Sequence, residues 1–338
     1  MEEFMKKLIA VFFVLAAVTG MLFANGGSQS KKPLIGVVTP AADHGFTGES
    51  IRHGEAETKL LAEKNGWDYR YLTANESGEQ NNAVDTLIGL KPAVIILWPV
   101  NGDELRSAAQ KIVDAKIPLI IYDRFITGFK GQAADISGDN VTIGEQMGRY
   151  FNKYFASQAG AGTINYLEFL GDSSTVPKER ADGFKSTANK NFTIVQSFVT
   201  DWSSQKAQEQ LETFLNTASR DQVESLQAIY TDDDEEVIGI VNAIKNYRGP
   251  AKLNIKLISG VGGRRENMPL FETSGLQGVD FLTYWFSPSF IRDAIDLGAD
   301  IIQGKTPPKD VKIGTKEIDK SNYKAHIDSA EYKTRYSL

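Results

Sequence analysis

An acid and a base directly follow a short apolar run in the first half of the chain. Residues 117–124 read Ile-Pro-Leu-Ile-Ile-Tyr-Asp-Arg, which is typical of a strand buried on both faces of a parallel sheet. The carboxyl ends of such strands border the crevice in which open α/β sheets bind ligands. Asp123 can accept hydrogen bonds and Arg124 can donate them, so the pair suits a ligand that carries hydroxyl groups. A local surface ion pair is the simpler alternative.

The loop after the first predicted strand also holds candidate ligand contacts. It runs through Asp43, His44 and Phe46 to the start of a helix, where free backbone N–H groups are available. Asp43 or Thr47 could equally be a helix cap, and for Thr47 we favour that interpretation. His44 could hydrogen-bond a hydroxyl group, but a solvent-facing histidine is almost as good an interpretation.

Three later strand ends carry further candidates. Arg180 lies in the first turns of a predicted helix, where the helix dipole disfavours a cation unless it has another polar partner. Trp202 ends a strand, and its indole could lie over a sugar face or merely cover a seam between domains. Asp233 belongs to an acidic run, residues 232–236, which the dipole at a helix start largely explains. We select Asp233 as the acid of this run that faces the crevice.

Apolar β-branched runs alternate with amphipathic stretches from residue 33 onward. Repeated strand, helix and strand units predict parallel sheets with helices on both faces. The alternation starts afresh after residues 137–140, and 338 residues exceed what one core usually supports. The predicted fold class is therefore α/β, with two doubly wound parallel-sheet domains.

Composition excludes several classes of protein. The chain has no cysteine and three histidines, which argues against a disulfide framework, thiolate catalysis and a Cys- or His-based metal site. Lys and Arg total 37 against 43 for Asp and Glu, and no basic block is present, so we predict no nucleic-acid partner. Gly260-Val261-Gly262-Gly263 lacks the spacing of a dinucleotide fingerprint. No nucleophile or base can be named, and we predict neither an enzyme nor a cofactor.

The N-terminus is typical of a secretory leader. Lys6 and Lys7 precede an apolar run over residues 8–18, and the small residue Ala24 follows. We predict a signal peptide over residues 1–24 and a Gly-, Ser- and Lys-rich tether over residues 25–32. An uncleaved anchor is the alternative, although the run is short for a membrane span. The mature protein is predicted to be periplasmic.

The order of these motifs resembles the periplasmic sugar-binding proteins of the ribose, galactose and xylose type, which serve ABC importers. Tyr122-Asp123-Arg124 resembles that family's sugar-gripping Asp-Arg, and Arg180 with Gly183 and Phe184 resembles its Arg-x-x-Gly-Phe helix start. Asp201-Trp202 lies where the family has a stacking aromatic residue. This chain departs from the family in two places: Ser259-Gly260-Val261-Gly262 replaces a Phe-Asp-Gly whose Asp commonly binds sugar, and Trp285-Phe286-Ser287 precedes the hinge residue Pro288, where ribose-type proteins have a Gln. The resemblance thus implies a pocket that is more aromatic and less polar on that side.

The resemblance also implies three chain crossings between interleaved domains. By analogy they lie near residues 137–140, 284–288 and 308–311, and the helix over residues 291–303 should pack on the first domain. The first domain would then contain residues 33–138 and 287–310, and the second would contain residues 139–286 and 311–338. Hinge closure would bury the ligand between them.

The predicted function is extracytoplasmic capture of a small carbohydrate or polyol and its delivery to the permease of an ABC importer, by a monomer. Asp123 should accept from hydroxyl groups and Arg124 and Arg180 should donate to them, while Phe46 and Trp202 enclose the ring. The alternatives are a ligand-sensing subunit for a chemoreceptor or histidine kinase, and a sugar-responsive transcriptional regulator. The regulator is disfavoured because a leader and tether stand where a helix-turn-helix would be.

Overall fold

The computed structural model describes residues 32–42, 45–156 and 162–335, and within these ranges it contains two six-stranded sheets. Strands and helices are numbered in chain order. From edge to edge, the first sheet consists of β11 (Asp310–Ile313), β5 (Ala134–Gly138), β4 (Leu119–Tyr122), β3 (Val94–Leu97), β1 (Leu34–Pro40) and β2 (Asp68–Ala74). All neighbouring strands in this sheet run parallel.

The second sheet has the same number of strands and one antiparallel edge. From edge to edge, it consists of β12 (Glu317–Asp319), β10 (Asp280–Trp285), β9 (Leu257–Gly262), β8 (Leu226–Thr231), β6 (Ile164–Leu170) and β7 (Phe192–Val199). β12 runs antiparallel to β10, and the other neighbours run parallel. Two mostly parallel sheets with intervening helices confirm the predicted fold class.

The helices connect the strands as the alternation predicted. They are α1 (Gly45–Asn65), α2 (Ser77–Leu90), α3 (Arg106–Asp114), α4 (Asn140–Ala156), α5 (Thr175–Thr187), α6 (Ser204–Thr217), α7 (Arg220–Ser225), α8 (Asp234–Asn246), α9 (Leu270–Thr273), α10 (Phe290–Ile302), α11 (Tyr323–Asp328) and α12 (Ala330–Arg335). Five of these elements were not predicted from the sequence. They are β5, β12, α7, α11 and α12.

The central strands form because both of their faces are covered. Every residue of β3 and of β4 is buried, which explains why these segments are continuous apolar runs instead of alternating patterns. α10 packs on α1 and β3. Its Gly298 allows the close approach, because a Cβ there would lie 2.9 Å from the Cδ1 atom of Ile96. The prediction that this helix returns to the first sheet is confirmed.

The chain passes between the two sheets three times, after β5, after β10 and after β11. The first two passages coincide with the predicted crossings at residues 137–140 and 284–288. The third predicted crossing, at residues 308–311, is wrong, because β11 pairs with β5 in the first sheet and the chain leaves only after Ile313. The predicted domain boundary after residue 310 therefore falls inside a strand; the wider division into two domains stays a prediction.

The N-terminal predictions concern residues outside the described ranges. The predicted signal peptide over residues 1–24 lies there, as does all but the last residue of the predicted tether over residues 25–32. Among the described residues, no helix combines the length and apolar character that crossing a membrane requires.

Candidate functional site

A cavity of about 250 Å³ lies where the carboxyl ends of strands from both sheets meet. This is the position at which doubly wound sheets bind ligands. Its wall is formed by the loops that follow β1, β3, β4, β7, β8 and β10, by the end of β9 and the loop after it, and by the first turns of α1, α5 and α8. The lining residues are Ala42, Gly45, Phe46, Thr47, Glu49, Trp98, Asp123, Arg124, Val176, Arg180, Asp201, Trp202, Asp233, Glu235, Val261, Gly262, Arg264, Phe286 and Pro288.

Asp123 presents a buried carboxylate at the end of β4. Its residue is 5% exposed, and its φ of 66° lies in the left-handed region that non-glycine residues rarely adopt. Trp98 donates from Nε1 to Oδ2 of Asp123 over 3.0 Å. Burial raises the pKa of Asp123, while Arg124, Arg180 and the indole N–H oppose the rise. The positive φ marks this residue as one that the surrounding fold holds in place.

Arg124 bridges the two sides of the cavity. One terminal nitrogen donates to the carbonyl oxygen of Val100 over 2.6 Å, and the other lies 3.1 Å from Oδ2 of Asp172, which follows β6 of the second sheet. Burial would raise the pKa of Asp172, but the Arg124 guanidinium and hydrogen bonds, including two from Ser174, bring it below its ordinary value. The buried Nε of Arg124 donates no hydrogen bond to a described residue. That donor is available to a ligand.

Arg180 is 3% exposed and is fixed by two hydrogen bonds. Its Nε donates to Oδ1 of Asn140 over 3.0 Å, and Nη1 donates to the carbonyl oxygen of Asp232 over 2.5 Å. Its guanidinium carbon lies 4.7 Å from the ring centroid of Phe286 and 5.9 Å from that of Trp202. The polar partner that the sequence analysis required for this cation is therefore present within the protein, and the cation also contacts two aromatic walls.

Two of the aromatic walls depend on glycines that allow close approach. Trp202 has a φ of 60°, and a Cβ on Gly171 would lie 2.3 Å from its indole ring. A Cβ on Gly138 would lie 2.0 Å from the ring of Phe286. Phe46 in turn packs on Phe286, with 5.3 Å between the ring centroids. A larger residue at either glycine would clash with the aromatic ring beside it.

An acidic helix start forms the wall on the side of the second sheet. Asp233 caps α8 by accepting from the backbone N–H of Glu235 over 2.8 Å. Burial raises the pKa of Asp233 to about 7, with Arg264 opposing the rise. Arg264 forms an ion pair with Glu235 at the same wall. Asp233 therefore serves both as the helix cap and as a cavity residue.

The structure brings together every predicted site residue that it describes. Phe46, Asp123, Arg124, Arg180, Trp202, Asp233, Gly262 and Phe286 all line the cavity. Asp43 and His44 lie outside the described residues. That these side chains bind a ligand stays a prediction.

Other lining residues were missed by the sequence analysis. Trp98 directly follows β3, so the rule that identified Asp123 and Trp202 could have found it. Glu49 in α1 and Arg264 after β9 carried no signal in the sequence. Gly262, with a φ of 149°, begins the turn that brings Arg264 to the cavity, so the wall is more charged than the expected aromatic one. No group of residues suited to hold a metal ion occurs among the described side chains.

Comparison with known proteins identifies the family. Residues 35–306 match the family model described as "Periplasmic binding protein domain". The fructose import binding protein FruE of Bifidobacterium longum is 24% identical over 336 residues, which are 96% of this chain and 97% of that protein.

Two solved structures share the fold. A Mycobacterium smegmatis protein in complex with β-D-fucofuranose superimposes with a TM-score of 0.75 at 21% identity, over 89% of this chain and 96% of that one. The periplasmic component of a Shewanella arabinose ABC transporter, bound to α- and β-L-arabinofuranose, superimposes with a TM-score of 0.71 at 22% identity, over 87% of this chain and 94% of that one. This chain belongs to the periplasmic binding protein family and is a solute-binding protein, not an enzyme.

Proposed function

We propose that the chain captures one small sugar or polyol in the cavity between its two sheets and delivers it to an ABC importer. The observation that carries the proposal is the convergence of Asp123, Arg124 and Arg180 on a cavity that Trp202 and Phe286 also line. Buried polar groups beside aromatic rings suit a ligand that has hydroxyl groups on its edge and C–H groups on its faces.

Each polar side chain has a defined part in this proposal. The carboxylate of Asp123 accepts from a ligand hydroxyl group, and Nε of Arg124 donates to a ligand oxygen. Arg180 already uses two of its nitrogens within the protein, so it contributes a fixed positive charge and its remaining donor. A cavity of about 250 Å³ fits one sugar ring, since pockets for drug-sized ligands span roughly 300–1,000 Å³.

The relatives and the N-terminal sequence support transport from the periplasm. FruE is named as a fructose import protein, and the Shewanella protein is a component of an arabinose ABC transporter. Export through a signal peptide over residues 1–24 and action as a monomer on a membrane permease complete the proposal. Co-purification with a permease supports delivery to an importer, whereas retention on a histidine kinase or chemoreceptor contradicts it.

A thermal-shift screen of the chain from Asn25 onward tests the binding function. The panel contains pentoses, hexoses and polyols, with nucleosides and amino acids as the other classes. A ligand at a hundred times its Kd adds about 2.7 kcal/mol to the free energy of unfolding, which raises the Tm measurably. We expect a sugar or polyol to raise the Tm of the wild type and of the exposed control Asp221→Asn, and to raise that of Asp123→Asn distinctly less. A response to nucleosides or amino acids alone would contradict the proposal.

A further inference from the structure

The carboxylate of Asp123 is held by Trp98, a residue that the sequence analysis did not select. The indole of Trp98 donates to Oδ2 of Asp123 over 3.0 Å, and Nε of Arg124 lies 3.9 Å from the same oxygen. No described residue donates a hydrogen bond to the second carboxylate oxygen, Oδ1. The protein thus engages one oxygen of the carboxylate and leaves the other for a ligand.

The position of Trp98 is fixed independently of any ligand. Its side chain is buried, its backbone N–H donates to the carbonyl oxygen of Val38 over 2.8 Å, and its ring packs edge-on against Tyr122 with 5.3 Å between centroids. Phe46 packs edge-on against it at 6.2 Å. Packing on both sides restricts the indole to one orientation, and the N–H therefore points at Asp123.

The same short loop also holds Arg124. Gln80 is fully buried; its Nε2 donates to the carbonyl oxygen of Trp98, and its Oε1 accepts from the backbone N–H of Val100, each over 2.8 Å. The carbonyl oxygen of Val100 then accepts from Arg124 over 2.6 Å. Residues 98–100, held by Gln80, therefore orient both members of the Asp123–Arg124 pair.

We propose that Trp98 is a positioning residue that sets which oxygen of Asp123 the ligand meets, and thereby determines sugar affinity through Asp123. The inference rests on the proposed function. Without the hydrogen bond from the indole N–H, the carboxylate of Asp123 can rotate about its Cβ–Cγ bond, and either oxygen can then accept from other donors. A rigid N–H acting on a buried carboxylate is a charge-assisted hydrogen bond, which is the strong kind.

A double-mutant cycle separates positioning from simple packing. The probes are D-fructose and L-arabinose, measured by titration calorimetry. We expect Trp98→Phe to raise the Kd about tenfold, the equivalent of about 1.4 kcal/mol. In an Asp123→Asn background, the same change should alter the Kd less than about twofold, because a positioning effect acts only through the carboxylate. A loss of packing volume would act equally in both backgrounds, and that result would overturn the proposal.

A second measurement needs no ligand. In an NMR spectrum, the indole N–H resonance of Trp98 is the one that is absent from Trp98→Phe. Trp67→Phe changes a tryptophan outside the cavity and is the matched control, which should keep this resonance. We expect the resonance to move on acidification of the wild type and to stay in place in Asp123→Asn. The same response in both proteins would overturn the coupling between Trp98 and Asp123. If neither probe sugar binds the wild type, the proposed function fails for these sugars while the resonance still decides the coupling.

Discussion

The contact between Arg124 and Asp172 joins the two sides of the cavity, and it can be weakened without replacing a residue of the cavity wall. Arg124 follows β4 of the first sheet, Asp172 follows β6 of the second, and Asp172 does not line the cavity. Asp172→Asn removes the negative charge but keeps an oxygen that can accept from the backbone N–H of Ser174, as Oδ1 of Asp172 does over 2.9 Å. The change therefore acts on the ion pair and on the interaction of the Trp202 side chain with this carboxylate, while it spares the local turn.

The size of the effect follows from distance and burial. The guanidinium nitrogen and the carboxylate oxygen are 3.1 Å apart, and the two side chains are 10% and 22% exposed. Hydrogen bonds to charged groups contribute about 1.5–3 kcal/mol, and the partial exposure of Asp172 places this one at the lower end. A loss of about 1.5 kcal/mol from the conformation in which Arg124 meets Asp172 raises the Kd roughly tenfold, where that conformation is the one that binds the ligand.

Calorimetry and small-angle scattering check the expectation. Asp172→Asn should bind the sugar found by thermal shift roughly tenfold more weakly, and its ligand-free radius of gyration should exceed that of the wild type. Asp182→Asn, which weakens an exposed pair with Lys178 within α5, is the matched control and should change neither quantity. An unchanged Kd together with an unchanged scattering profile would refute the assignment of this ion pair to closure.

Two other substitutions test the cavity walls. Because burial raises the pKa of Asp233 to about 7, its ionisation costs stability as the pH rises from about 4 to about 7. Asp233→Asn should therefore raise the Tm at pH about 8 but not at pH about 4, whereas the exposed Asp221→Asn should do neither; equal shifts at both pH values would contradict this cause. Gly138→Ala should lower the free energy of unfolding by about 1–3 kcal/mol and weaken sugar binding, because a Cβ there would lie 2.0 Å from the ring of Phe286. Gly89→Ala, which meets open space in α2, should lower neither in urea titrations and calorimetry, and unimpaired binding by Gly138→Ala would contradict the role of that glycine.

The local sequence was sufficient to predict the strands that are buried on both faces, because such strands are continuous apolar runs. β3 and β4 are continuous apolar runs, and β4 lies within the strand that residues 117–124 predicted. β5 reads Ala-Asp-Ile-Ser-Gly, with no such run, and it becomes a strand through pairing with β4 and β11. The third crossing was misplaced for the same reason, since membership of β11 in the first sheet depends on a partner far away in sequence.

The site residues likewise divide into those that the local sequence predicts and those that depend on contacts distant in sequence. The rule that ligands meet the carboxyl ends of strands identified Asp123, Trp202 and Asp233, which all lie within three residues of a strand end. Arg264 reaches the cavity through a turn with φ angles of 149° and 69° at Gly262 and Gly263, and a path of that kind cannot be read from residue types. The Arg124–Asp172 contact depends on how the two sheets face each other.

The pairing of β11 with β5 has a consequence for the order in which the chain can fold. The first sheet begins at residue 34, yet its edge beside β5 stays uncovered until residues 310–313 are available. A nascent chain, or one truncated before residue 310, would expose the unpaired N–H and C=O groups of β5 to other chains. The first sheet can therefore be completed only when nearly the whole polypeptide is available.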